Sequence, residues 1–180
     1  MIVTYFLLLL SGCSSPLSLL AHLPDSSLTS DSQQSDVSSA SRSRLSQEDD
    51  AAGSRAGWIA APTSTSPWIQ TDLLHVFLVT GVATRGRSTQ NVWTESFTLQ
   101  HSVDASAWSA VGDAAGSDVT FAANSDADAV VVNAFVAVVA RYVRLNVVTW
   151  HRSPALRWEV YGCIESKISR LLFKYILFKS

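Results

Sequence analysis

Charged residues are scarce in this chain, and lysine is confined to one end of it. Asp, Glu, Lys and Arg make up 16% of the 180 residues, and the formal net charge is −2. All three lysines (Lys167, Lys174 and Lys179) follow Cys163. A chain with this charge has no general attraction for a phosphate backbone, so nucleic acid is not an expected partner.

Cysteine is limited to Cys13 and Cys163. Two cysteines cannot supply a zinc site built from three or four thiolates, and the lack of a Cys-x-x-Cys pair argues against redox catalysis. In a secreted chain an even number of cysteines suggests a disulfide. The alternative is a free Cys163, with Cys13 removed during cleavage of a signal peptide.

Motifs for catalysis are also missing. The sequence contains no Gly-x-Ser-x-Gly elbow, no His-Glu-x-x-His helix and no phosphate-binding glycine loop, and its four histidines are widely spaced. We therefore expect a protein that is not an enzyme and that needs no cofactor. The alternative is a fragment of a carbohydrate-active enzyme whose catalytic domain lies elsewhere in a longer gene product.

The longest apolar run near the start, Ile2 to Leu10, is shorter than the roughly 20 residues that span a bilayer as a helix. It fits the apolar region of a secretory signal peptide over residues 1–12, which predicts a secreted, extracellular domain over residues 13–163. A truncated or misassigned start, or a lipoprotein-type cleavage box ending at Cys13, remains open.

The tail at residues 164–180 differs from the body because it is basic and apolar. Ile168, Leu171, Leu172, Tyr175 and Ile176 follow helical spacing, with basic residues between and beyond them. Such a segment suits an amphipathic helix on a membrane surface, or else a non-native or poorly ordered extension.

The sequence of residues 13–163 predicts a series of short strands. Residues 26–46 are rich in Ser, Asp and Gln and predict loop or linker. After Trp58, segments with strand-like alternation recur between turn signals, and we find no amphipathic helix of three turns there. This pattern favours an all-β sandwich or jelly roll. The predicted strands are Trp68–Leu73, His75–Thr84, Ser96–Ser102, Val130–Val138, Ala140–Val148 and Leu156–Tyr161.

Six segments, in order and with natural spacing, resemble the discoidin family, also called the F5/8 type C domain. The last of them is the closest match and ends on the family's closing Leu-Arg-x-Glu-Leu-Tyr-Gly-Cys pattern. The segments are CSSPLSLLAHLPDSSLTS (Cys13–Ser30), SRSRLS (Ser41–Ser46), SPWIQTDL (Ser66–Leu73), VTGVATRGR (Val79–Arg87), SFTLQHSVDASAW (Ser96–Trp108) and ARYVRLNVVTWHRSPALRWEVYGC (Ala140–Cys163).

The resemblance implies an eight-stranded antiparallel jelly-roll barrel of the galactose-binding type, with Cys13 and Cys163 joined. It also implies that ligands meet loops at one end of the barrel. These loops map to residues 33–40, 85–93 and 124–128. In some relatives an acidic residue at the position of Glu159 helps to hold calcium, which makes Glu159, Asp49 and Asp50 weak calcium candidates; we assign no metal site.

Aromatic and planar polar side chains in these loops suit a saccharide or a partner protein. Trp58 and Trp93 lie nearer the loops and are the better candidates for exposed contact, with a core anchor as the alternative for each, whereas Trp68, Trp108, Trp150 and Trp158 are expected to be structural. The candidate ligand-binding residues are Gln34, Val37, Trp58, Arg85, Arg87, Gln90, Asn91, Trp93, Asn124 and Asp126.

We therefore expect a secreted binding module for cell-surface or matrix adhesion that presents these loops to a glycan or to a matrix or receptor protein. The alternative is a peripheral module that binds anionic phospholipid, such as phosphatidylserine, through Arg85, Arg87 and Trp93. The acidic third loop and the near absence of apolar residues in the first loop weaken that alternative.

Overall fold

A computed structural model describes residues 13–48, 56–112 and 119–164. The expected signal peptide, the basic tail after Ile164 and the candidates Asp49 and Asp50 therefore lie outside the described residues. In the described ranges no helix is long and apolar enough to cross a bilayer.

Within these ranges the chain forms nine antiparallel strand segments and no α-helix, which confirms the all-β prediction. Four of the nine segments are only two residues long, so the count differs from the eight strands that the resemblance implied. The strands are β1 (Leu17–Ser18), β2 (Leu28–Ser30), β3 (Trp58–Ile59), β4 (Trp68–Arg85), β5 (Trp93–Ser102), β6 (Ser109–Ala110), β7 (Phe121–Ala122), β8 (Val131–His151) and β9 (Ala155–Ile164).

The main path of the sheet runs β1-β9-β4-β8-β5-β6, with β2, β3 and β7 paired to its edges. The long strands β4 and β8 each cover two of the predicted strands. β4 bends at Leu74, whose φ is 65°, and the register with β8 shifts between Asp72 and Phe77. The prediction divided each long strand at its bend, because a local pattern does not show whether hydrogen bonding continues through the irregularity.

Alternating side chains of the sheet enclose one main apolar core. Trp158 and Val160 of β9 and Val82 of β4 belong to this core, and all three are fully buried. Phe97 and Leu145, from β5 and β8, fill the opposite side of the same core. The structural role expected for Trp158 is confirmed.

The Ser-rich segment at residues 26–46 was expected to be loop or linker. It is largely loop, but it packs against this core through Leu28 and Ala40, so it is not a linker. It contains β2 and short 3-10 turns at Asp25–Ser27, Asp36–Ser38 and Ala40–Arg42. Buried Ser43 accepts a hydrogen bond from Trp158 Nε1 at 3.2 Å through its hydroxyl. The small hydroxyl side chains of this segment satisfy buried polar groups locally, which composition alone does not reveal.

The two ends of the described chain lie side by side. Cys13 and Cys163 form a disulfide that closes a loop with a sequence separation of 150 residues. Their side chains pack with Leu78 and Ala137 in a second apolar cluster on the outer face of the sheet. The pairing that the resemblance implied is therefore present.

Where β8 pairs with the first part of β4, Arg144 lies between two indole rings. Its guanidinium carbon is 4.4 Å from the ring centre of Trp68 and 4.2 Å from that of Trp108. Its Nε and Nη2 also donate to Gln70 Oε1 at 3.0 and 2.7 Å. This stack joins three strand regions and gives Trp68 and Trp108 the structural role that we expected.

Breaking the disulfide by replacing Cys13 and Cys163 together with serine is expected to lower the free energy of unfolding. Loop-closure entropy sets a ceiling of roughly 4–5 kcal/mol for a loop of this size. Urea denaturation of the oxidised chain and of the double variant measures the difference. A reductant should reproduce the loss in the wild type and leave the double variant unchanged; an equal stability of the two proteins would contradict the account.

Arg144→Lys is expected to destabilise the fold by about 1–3 kcal/mol, because an ammonium cannot stack on two rings while donating twice to one amide oxygen. The measurement is the midpoint of urea unfolding followed by tryptophan fluorescence. Arg152→Lys, at an exposed position, is the matched control and should shift the midpoint little. Equal midpoints for both variants would argue against a role for the stack.

Candidate functional site

Several loops meet at one end of the barrel, which we call the loop end and define as residues 31–38, 57–61, 85–93, 124–130 and 151–155. β4 reaches it at Arg85 and β5 leaves it at Trp93. The backbone N–H of Gln34 donates to Ile59 O at 2.9 Å, and that of Ala60 donates to Pro154 O at 3.0 Å. The Ser88 hydroxyl donates to the Asp128 carboxylate. The three loops expected from the sequence are therefore brought together.

Two buried arginines stabilise the loop end by donating hydrogen bonds to its backbone. Arg87 is only 2% exposed, and its Nη1 donates to Gly57 O at 3.4 Å. Arg157 is 3% exposed and donates through Nε to Gly86 O at 3.0 Å and through Nη1 to Gln47 O at 3.1 Å. Arg87 was expected at the surface of its loop; its guanidinium is instead buried and directed at the neighbouring loop stem, where Arg87 lines a cavity.

Arg85 is the more accessible cation, and it is paired. Its Nη1 lies 2.9 Å from Glu48 Oε1, and its Nη2 lies 3.8 Å from Asp128 Oδ1. The Glu48 and Asp128 side chains are 65% and 71% exposed, whereas that of Arg85 is 23% exposed. Carboxylates therefore face solvent here, with the guanidinium beneath them.

Trp58 does not reach the surface. Its side chain is fully buried, its Nε1 donates to Ser32 O at 2.8 Å, and β3 pairs it with Leu156 of β9. Of the two alternatives that the sequence left open, Trp58 is therefore the core anchor, and expecting it as a ligand contact was wrong. Its burial depends on a strand more than ninety residues away in sequence. Trp150, expected to be structural, is instead 37% exposed near the end of β8.

Trp93 is a half-buried indole at the loop end. Its ring stacks on that of His151 with a centroid separation of 3.9 Å and an interplanar angle of 9°. Both residues are half-buried, and the register of β5 with β8 places them opposite each other. His151 was missed as a site residue, since only this cross-strand pairing joins it to Trp93.

The other candidates in the first two loops differ in exposure. Gln34 and Asn91 are exposed, Gln90 is half-buried, and Val37 is 49% exposed. Asn91 has a φ of 52° and ends the short turn at Ser88–Gln90. The exposed groups of these candidates are mainly amides, with Val37 as the single apolar tip among them.

In the third loop, Asn124 and Asp126 mainly hold the backbone. Asn124 is 3% exposed and donates to Ala129 O at 2.8 Å, so expecting it as a ligand contact was wrong. Asp126 is exposed, and backbone N–H groups of Ala129 and Asp128 donate to its Oδ1 at 2.7 Å each. These two bonds stabilise the carboxylate and lower the pKa of Asp126.

Glu159 is not placed as a metal ligand. It is 2% exposed, and its Oε1 accepts from the backbone N–H groups of Leu20 at 2.7 Å and Val160 at 2.9 Å. It fixes the first segment of the chain against β9. Among the residues that the structure describes, no group of three or more His, Cys, Asp or Glu side chains is arranged to hold a metal ion.

A cavity of about 200 Å³ opens between the loop stems and is lined by Glu48, Ala56, Arg87, Ser88 and Arg157. Its walls offer hydroxyl, carboxylate and guanidinium groups. Such a lining suits a polar ligand group better than an apolar one.

With this geometry in place, the comparisons with known proteins identify the family. The model of the F5/8 type C domain matches residues 27–160, which is more than half of the chain. The chain belongs to the F5/8 type C domain family. The jelly-roll fold and the family that the sequence segments suggested are therefore confirmed.

The chain is 34% identical to Neuropilin-1 of Xenopus laevis over 130 residues, which is 69% of this chain and 13% of that protein. Its structure is similar to discoidin II from Dictyostelium discoideum, with a TM-score of 0.73, 22% identity and coverage of 85% of this chain and 60% of that chain. It is also similar to a carbohydrate-binding module from Clostridium perfringens solved in complex with GalNAc-β-1,3-galactose, with a TM-score of 0.62, 16% identity and coverage of 80% and 99%.

Gly86→Ala is expected to disturb the loop end. A Cβ at Gly86 would lie 2.7 Å from Ala127 Cα and 2.9 Å from Trp93 Cβ, so the second and third loops would have to separate. Overpacking of this kind costs about 1–3 kcal/mol. Thermal unfolding measures the loss, and hydrogen exchange should increase at residues 124–128. Ser125→Ala, at an exposed position in the same loop, is the control; unchanged exchange in Gly86→Ala would contradict the packing.

Proposed function

We propose that this chain is an extracellular, non-catalytic adhesion module that recognises a glycan, or a partner protein at the cell surface or in the matrix, through its loop end. One observation carries the proposal. The loop end combines the half-buried Trp93–His151 stack with exposed amide and carboxylate groups in its loops and with a polar cavity between the loop stems. An aromatic surface bordered by planar polar groups matches the alternating apolar and hydroxyl-bearing faces of a sugar ring.

The solved complex of a similarly folded module with a galactose-containing disaccharide is consistent with this use of the fold. The likeness in sequence is low, so the proposal depends on the residues of this chain. Gln34, Asn91 and Asp126 are exposed in the loops of the same end and are the groups that we assign to hydrogen bonding with ligand hydroxyls.

An extracellular setting is supported by the Cys13–Cys163 disulfide, because such bonds persist in oxidising compartments. Residues 1–12 are proposed as the signal peptide and residues 13–163 as the domain. No catalytic role is proposed for any side chain at the loop end. The exposed acids there contact arginine, serine, glutamine or backbone N–H groups in the described structure.

Recognition of anionic phospholipid is less well supported. Membrane binding of this kind needs apolar tips and accessible cations. Arg87 is buried, Arg85 is paired with Glu48 and Asp128, and Val37 is the one apolar tip in the first loop. Exposed carboxylates at the same end would repel an anionic surface.

Trp93→Ala is expected to weaken ligand binding about tenfold or more, because truncation of an aromatic anchor removes its contact area. The measurement is binding of the refolded, oxidised chain to a glycan array and to a panel of matrix proteins, followed by titration of each positive ligand. Tyr142→Ala is the matched control, since Tyr142 is a half-buried aromatic residue far from the loop end.

The competing function is tested with phosphatidylserine vesicles. We expect little sedimentation of the wild-type chain with these vesicles. Avid vesicle binding, together with no binding to the glycan array or the matrix panel, would overturn the proposal. Equal losses of binding in Trp93→Ala and Tyr142→Ala would remove Trp93 from the site.

A further inference from the structure

A row of three polar side chains crosses the outer face of the sheet where β4, β8 and β5 lie side by side. We call it the Arg144 row. Gln70 of β4 pairs with Arg144 of β8, and Arg144 pairs with Gln100 of β5. Side chains alternate between the two faces of a sheet, and these three are half-buried on the outer one. The neighbouring row on the same strands belongs to the core and consists of Ile69, Leu145 and Leu99.

Arg144 is held in one orientation but keeps part of its hydrogen-bonding capacity. A guanidinium carries five N–H bonds in one plane, and Nε and Nη2 direct one each to Gln70 Oε1. The bonds at its far end, on Nη1 and on the other side of Nη2, have no acceptor among the described residues, and Nη1 is not enclosed away from solvent. The rings of Trp68 and Trp108 cover the two faces of the guanidinium. A ligand therefore reaches these bonds in the guanidinium plane, from which a carboxylate can accept two parallel hydrogen bonds.

The charge of Arg144 is not balanced within the described structure. Arg144 forms no ion pair with any side chain in the described ranges. Asp72, the next outward residue of β4 after Gln70, accepts from Arg141 Nε and Nη2 at 2.8 Å each. Burial lowers the pKa of Arg144, because removing water disfavours the charged form. A bound carboxylate would supply the missing counterion.

The amides on either side of Arg144 are also left to donate. Gln70 Oε1 is occupied by Arg144, and Gln100 Oε1 accepts from Asn146 Nδ2 at 3.3 Å. The Nε2 groups of both glutamines have no acceptor in the part of the chain that the structure describes. Donors on both sides of a guanidinium without a counterion suit an anion better than a cation.

We propose that the Arg144 row binds the carboxylate of an acidic sugar, at a site separate from the loop end. The indole rings of Trp68 and Trp108 border the row, and its amides suit the hydroxyl groups of a sugar ring. One cation suits one carboxylate for each sugar. The net charge of −2 gives no attraction for a densely charged chain.

The probe is glucuronate, titrated into the full, oxidised chain at constant ionic strength, with glucose as the neutral match and acetate as the carboxylate without a sugar ring. The readout is the NMR signals of the indole N–H groups of Trp68 and Trp108. Amide exchange should change little, because β8 is paired with β4 on one side and β5 on the other here. We expect saturable shifts of both signals with glucuronate, none with glucose and weaker binding of acetate.

Gln100→Glu places a carboxylate beside Arg144 with little change in shape. The new carboxylate should pair with Arg144 and weaken glucuronate binding about tenfold or more. The midpoint of thermal unfolding should not fall, which separates lost binding from lost structure. Val132→Glu is the matched control, because it adds the same charge at an exposed position toward the other end of β8 and should leave glucuronate binding unchanged.

The absence of a saturable shift, an equal response to glucose, or equal binding by the wild type and Gln100→Glu overturns the proposal. Shifts confined to the Trp93 signal assign the acid to the loop end. Equal binding of acetate and glucuronate assigns the row to carboxylates in general, including those of a protein partner. Both of these outcomes also overturn it.

Discussion

The structure depends on closure between the first described segment and the last strand. Cys13 is bonded to Cys163, β1 pairs with β9, and the carboxylate of Glu159 accepts the backbone N–H of Leu20. A covalent bond, a strand pairing and a buried hydrogen bond to a carboxylate thus join the first described segment to β9 along one seam. Because β9 also pairs with β4, holding the seam fixes the strand from which the second loop emerges.

Buried arginines extend that order to the loop end. Arg157 of β9 contacts Gly86 and the stem at Gln47, while Arg87 contacts Gly57. A charge buried in this way is tolerated only when it is well hydrogen-bonded, so the loop stems and the guanidinium groups stabilise one another. The loop tips can therefore differ in chemistry, and here they carry exposed amide and carboxylate groups at the same end as the Trp93–His151 stack.

The sequence predicted the elements whose signals are local. Alternation marked the strands, and the six segments marked the family and the disulfide. Exposure at the loop end was harder to predict, because it depends on pairing between distant segments. Trp58 is buried by β9, Arg87 is directed toward Gly57, and His151 joins Trp93 only through the register of β5 with β8. No pattern within a short window contains that information.

The most direct test of the account is a hydrogen-exchange footprint of the oxidised chain with a ligand bound. The account predicts added protection at residues 85–93 and 124–128, with little change along the outer faces of β4 and β8. Protection centred on the sheet around Arg144, with the loop end unaffected, would contradict it.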